Sequence, residues 1–167
     1  MRLLGAGFLW ISLTFLGAAY AHKLKNRIFI LERTMQLIKH IKVETEYLNL
    51  SAREILFKLA VASEFKELDY IESVCTLIKA GEDFPVAWRN SINNTSLNYK
   101  TDERDKLLQL GEKFGTSDVK NQISMLEMYE NYFIEFISQA KSKYNKQAKT
   151  ATGTGVLAGC MLFILLI

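Results

Sequence analysis

Both extremities of this 167-residue chain are free of charge over lengths that match a lipid bilayer, and no other feature constrains the fold as much. Thr150 to Ile167 holds no Lys, Arg, Asp or Glu and closes on the apolar run Gly155-Val156-Leu157-Ala158-Gly159-Cys160-Met161-Leu162-Phe163-Ile164-Leu165-Leu166-Ile167. As a helix rising about 1.5 Å per residue it extends about 27 Å, close to a hydrocarbon core of about 30 Å. Leu3 to His22 is a second such stretch, with Phe8, Trp10, Ile11, Leu13, Phe15 and Leu16 in its middle. The expected organisation is therefore a transmembrane helix over 3–22, a body over 23–149 and a transmembrane helix over 150–167.

Charge placement orients this arrangement. Lys23, Lys25 and Arg27 follow the first stretch directly, and Lys141, Lys143, Lys146 and Lys149 precede the second with no acidic residue among them. Basic flanks stay on the cytoplasmic side, so the body is expected to face the cytoplasm at the cell membrane, with both short ends outside. Ala19-Tyr20-Ala21 resembles a signal-peptide cleavage site, which would instead make an exported chain held by its tail. Only Arg2 and the terminal amine precede the apolar run, and this bias favours a retained span.

The net charge of +3 hides a segregation. Residues 28–140 hold 13 Lys or Arg against 18 Asp or Glu, a net −5, while the basic surplus lies beside the apolar ends. Anionic headgroups attract such a surplus, and the acidic middle argues against nucleic acid as a partner. A composition 49% hydrophobic with a single proline suits one well-filled helical domain.

After His22, Leu24, Ile28, Leu31, Met35, Ile38, Ile41, Thr45 and Leu48 recur at helical spacing, one stripe of a long helix that could continue the first span. Ser51 and Glu54 form a capping box that starts a second helix, with Ile55, Leu56, Leu59 and Ala62 as its face. Leu68, Ile71, Val74, Cys75 and Ile78 mark a third, closed by Gly81 in the left-handed conformation. Asp83 before Phe84 and Pro85 starts a short fourth helix, and Asn93-Asn94-Thr95-Ser96 reads as a loop. A fifth begins near Thr101 and stops at Gly115, and Ser117 is expected to cap the sixth. That last helix carries Val119, Ile123, Leu126, Tyr129, Phe133, Ile137 and Ala140 and leads to the second charge-free stretch. The fold class expected is all-α, a six-helix cytoplasmic bundle with flanking transmembrane helices.

Chemistry is thinly supplied. His22 and His40 have no partner at a telling spacing, and Cys75 and Cys160 make no metal-like or redox pair. Gly111 to Ser117 looks superficially like a phosphate loop, but no lysine follows the last glycine and no strand precedes it. Glu44 and Glu46, like Asp102, Glu103 and Asp105, read as helix-start or solvated charges. No catalytic residue, cofactor, metal or small-molecule substrate is therefore expected. Tyr129, Tyr132, Phe133 and Phe136 spread over more than one helix face, which makes Tyr129, Tyr132 and Phe136 candidates for a partner surface. Gly155 and Gly159 make a small-xxx-small pattern matched by Gly17 and Ala21, the candidate packing positions between the two spans.

In length, order and both charge-free ends the chain resembles the stage III sporulation protein AB family, small membrane proteins of endospore-forming bacteria. The matching residues are Leu3-Leu4-Gly5, Glu44, Tyr47, Ala87-Trp88, Leu110-Gly111, Phe114-Gly115-Thr116-Ser117-Asp118, Gln122, Tyr144 and Gly155-Val156-Leu157-Ala158-Gly159. The resemblance implies a domain similar to that of the type II secretion system F protein. It also implies a place in the mother-cell membrane complex that, with forespore partners, forms a channel or feeding apparatus across the membranes around the forespore, with that complex's other proteins and its secretion-type ATPase as partners. The function expected is a non-enzymatic membrane platform; the rival is a membrane enzyme or metal-dependent regulator with an unrecognised site.

Overall fold

The computed structural model describes the backbone of residues 2–48, 50–61 and 63–166 and the side chains of 19–48, 50–61 and 64–147. Among these, the chain is all-α: α1 (Arg2–Leu48), α2 (Ala52–Val61), α3 (Asp69–Lys79), α4 (Phe84–Asn94), α5 (Thr101–Lys113) and α6 (Val119–Leu166), with a short 3-10 turn at Ser63–Phe65. No helix among the described residues is long and apolar enough to cross a membrane. The expected spans lie outside the described side chains except for residues 19–22, and Gly17, Gly155 and Gly159 are likewise outside them.

Contacts divide the chain into two compact units, Phe29–Ile137 and the pair of segments Met1–Ile28 with Ser138–Ile167. In the first, α2 packs on α3, α3 on α4 and α4 on α5. Leu31, Leu37, Ile38 and Ile41 of α1 join Leu126, Tyr129 and Phe133 of α6 in the same buried core as Trp88 and Tyr70. Lys42 clamps α1 to α6 through Glu130 at 2.9 Å and Glu127 at 3.7 Å, and its ammonium is raised above the usual lysine range chiefly by the hydrogen bond to Glu130. In the second unit, the Tyr20 hydroxyl donates to Gln147 Oε1 at 3.0 Å, joining the two helical stems there.

The helix ends follow local chemistry. The Ser51 amide donates to Glu54 Oε2 at 2.9 Å and the Glu54 amide to Ser51 Oγ at 3.3 Å, the reciprocal capping box of α2. Gly81, at φ +99°, closes α3 in a Schellman motif in which its amide reaches Ile78 and that of Glu82 reaches Leu77. Gly115 stands at φ +81° after α5. Two boundaries differ from the sequence reading. Asn93 and Asn94 belong to α4, whose last carbonyls at Ile92 and Asn93 accept from Arg104 Nη1 at 2.8 and 3.1 Å. The cap of α6 is Asp118 rather than Ser117, because Asp118 supplies the first intrahelical carbonyl, to Gln122, and its carboxylate accepts from Asn121. The Ser117 carbonyl instead accepts from the Gln122 side chain.

The core is not purely apolar, and several of its polar groups are tied down internally. Thr34 donates to Ile30 at 2.9 Å and its hydroxyl meets that of Tyr99 at 2.6 Å. Ser91 donates to Ser73 at 3.0 Å, and buried Glu103 accepts the amide of Lys100 at 2.7 Å, starting α5.

Candidate interaction surface

The apolar stripes of α1 and α6 outrun the core at one end of the bundle. Ile41 and Leu126 are buried, but Leu48 is 51% exposed and Val119 is also on the surface. Tyr47, which lies off the core stripe, is 75% exposed, and Val86 at the start of α4 is 49% exposed. Between α2, α4 and the α5–α6 turn lies an open groove of about 540 Å³ lined by Leu50, Ala52, Phe84, Pro85, Phe114 and Gln122 among others. Exposed apolar side chains next to a shaped groove suit a partner's surface better than solvent.

Three local devices build this end. The Ser51–Glu54 box turns the chain out of α1, and the Ser51 hydroxyl and amide hold the Glu54 carboxyl below the usual range. Asp83 takes the cap position of α4, its carbonyl accepting from the Ala87 amide at 2.9 Å, with Pro85 in the first turn. Gly115 lets α5 stop against α2: a Cβ there would lie 3.3 Å from Ala52 Cβ.

Beneath the groove, Trp88 locks α4 to α5. Its indole donates to the Leu107 carbonyl at 2.7 Å, and a Cβ on Gly111 would fall 2.0 Å from Trp88 Cδ1. Phe84 lies between Trp88 and Phe114, with ring centroids at 5.9 and 6.0 Å. The stretch that looks like a phosphate loop is therefore a packing device. Gly111 admits an indole and Gly115 reverses the chain.

Glu44 is a correction to the sequence reading. It is buried rather than solvated, receives Lys58 Nζ at 2.7 Å on both oxygens, and lies 3.4 Å from His40 Nε2. Lys58 holds its carboxyl below the usual range, with His40 adding to the effect. The His40 ring sits edge-on to Phe65 at 5.8 Å. His40 thus has a partner, one turn away at i+4, that spacing alone could have suggested. Only the fold reveals Lys58. The cluster joins α1 to α2 and lines neither this groove nor a second one, also of about 540 Å³, between α2 and α3.

The aromatic band on α6 splits. Tyr129 is buried, which removes it from any exposed partner surface, because the α6 face that meets the core is wider than one stripe. Tyr132 and Phe136 are half-buried, and Lys106 covers the Tyr132 ring at 4.3 Å. Among the described residues no group of three His, Cys, Asp or Glu side chains could hold a metal ion. Cys75 is buried and points its thiol at the Leu56 carbonyl, and burial raises its pKa.

Fold and surface together define, among the described residues, an all-α protein in which Tyr47, Leu48 and Val86 are exposed apolar side chains near one groove of the bundle. The profile of the stage III sporulation protein AB family matches residues 2–167, so the chain belongs to that family of sporulation proteins. No curated protein and no solved structure matches it.

Proposed function

We propose that the protein is a non-enzymatic platform subunit of the stage III sporulation complex in the mother-cell membrane around the forespore. Its charge-free ends, 3–22 and 150–167, insert in the bilayer and its body faces the cytoplasm. The end of the bundle formed by Tyr47, Leu48, Val86 and the groove beside them receives the complex's secretion-type ATPase, and the inserted helices pack on its other membrane subunits. The observation that carries the docking site is the overrun of both apolar stripes at one end, where Leu48 is 51% and Val119 36% exposed, with Tyr47 beside Leu48 at 75%. Large apolar side chains left in water beside a groove mark a binding surface.

Site-specific photocrosslinking in sporulating cells tests this reading. Probes at Tyr47, Leu48 and Val86 should capture the ATPase, whereas a probe at exposed Glu72 on α3 should not. Equal capture from all positions, or capture from Glu72 alone, would remove the assigned docking face.

A further inference from the structure

The division into units coincides with a complete segregation of the acidic residues. Met1–Ile28 with Ser138–Ile167 contains eight Lys or Arg and no Asp or Glu, whereas Phe29–Ile137 contains all 18 acidic residues. Within the basic unit the charges are concentrated. The Tyr20–Gln147 hydrogen bond brings the two stems together, and Lys23, Lys25 and Arg27 follow Tyr20 within seven residues. Lys141, Lys143 and Lys146 lie within six residues of Gln147. At about 1.5 Å per residue, every one of these charges is within about 10 Å of that contact along its helix. The headgroup and interfacial layer on each side of a bilayer is of similar depth, roughly 5–8 Å. Lys23, Lys25, Lys141, Lys143 and Lys146 are exposed, and so is Tyr20, the amphipathic side chain that settles at such a boundary.

We propose that the paired stems form one basic band that selects anionic phospholipid headgroups, a lipid-recognition site rather than a general flank of charge. The inference rests on the membrane-platform reading and adds the chemical class of lipid to it. An anionic lipid fits better than a nucleic acid because the band borders charge-free stretches on both stems. Lys23, Lys25 and Lys143 carry one sign within a short length and cannot neutralise one another, and phosphate groups at a surface offer the opposite charge. A lipid held between stems from the two ends of the chain also bridges them.

The test uses the full chain reconstituted in vesicles of equal parts phosphatidylglycerol and phosphatidylcholine, followed by mild detergent extraction and quantification of the lipid that stays bound. The expected result is phosphatidylglycerol enriched on the order of tenfold, decreasing at high salt as screening weakens the attraction. The variant K23Q/K25Q/K143Q should lose most of that enrichment, and K23R/K25R/K143R should keep it. Equal retention of both lipids by the wild type, unchanged enrichment in the glutamine variant, or binding of duplex DNA as tight as that of phosphatidylglycerol vesicles would overturn the assignment. Alkaline carbonate extraction of the same vesicles reads the platform proposal separately: a wild-type chain that stays in the membrane but shows no lipid preference defeats the lipid site alone, and a chain released by carbonate defeats both.

Discussion

At the scale of single residues, three glycines show how different physical demands produce the same letter. Gly115 combines a left-handed backbone with a neighbour, Ala52, close enough to feel an added Cβ. Gly81 would meet nothing within 4 Å if it carried a Cβ, so its requirement is the backbone conformation at φ +99°. Gly111 is the opposite case. It sits inside α5, where alanine would ordinarily favour the helix by about 1 kcal/mol. The Trp88 ring 2.0 Å from the added Cβ reverses that sign, and the indole cannot retreat without giving up its bond to the Leu107 carbonyl. Gly111→Ala is expected to destabilise the bundle by about 3 kcal/mol, the upper part of the overpacking range. Gly81→Ala should cost about 1 kcal/mol. Denaturant unfolding followed by circular dichroism compares the two, and a Gly111→Ala protein as stable as the wild type would show that Trp88 does not require the gap.

At the scale of elements, the joints depend on a few anchored carboxylates. Glu44 ties α1 to α2 through Lys58, and Asp69 ties the start of α3 to the α4–α5 loop by accepting from the Thr95 hydroxyl and from the Ser96 amide and hydroxyl. Burial opposes ionisation of Asp69, but these hydrogen bonds outweigh it and hold its carboxyl below the usual range. Glu44 is likewise lowered. A carboxyl lowered in the folded state contributes stability that is present above its unfolded pKa and lost as pH falls through its folded one. Thermal midpoints should therefore be steady near neutrality and fall below about pH 4.5, from these groups alone. Glu44→Gln should cost about 2 kcal/mol at pH 7 by leaving Lys58 and His40 against an uncharged amide, and should flatten that acid limb. An acid limb unchanged in the variant would assign the pH dependence elsewhere.

At the scale of the whole molecule, stability and the proposed docking can be separated by mutation. Leu48 and Val86 are about half exposed, so replacing them removes little core contact. Leu48→Lys with Val86→Lys is expected to change unfolding free energy by less than about 1 kcal/mol and to abolish capture of the ATPase by the bundle. A pull-down beside a melting curve checks both, and retained capture with an unchanged melting curve would move the docking face elsewhere.

The chain alone determined what local rules govern. Helical periodicity placed six helices, the Ser51–Glu54 spacing placed a cap, and Gly81 and Gly115 fell where left-handed residues end helices, because each of these depends on neighbours within about five residues. Leu48 and Val119 belong to the same stripes as Ile41 and Leu126, and nothing in the periodicity says that the stripe leaves the core there. Only the tertiary structure decided that, and it also decided that Tyr129 is buried, that Glu44 meets Lys58 and that Trp88 fills the space above Gly111. Those outcomes depend on which helices pack together and where each packing ends, and such pairings join residues too distant in the chain for any local pattern to record.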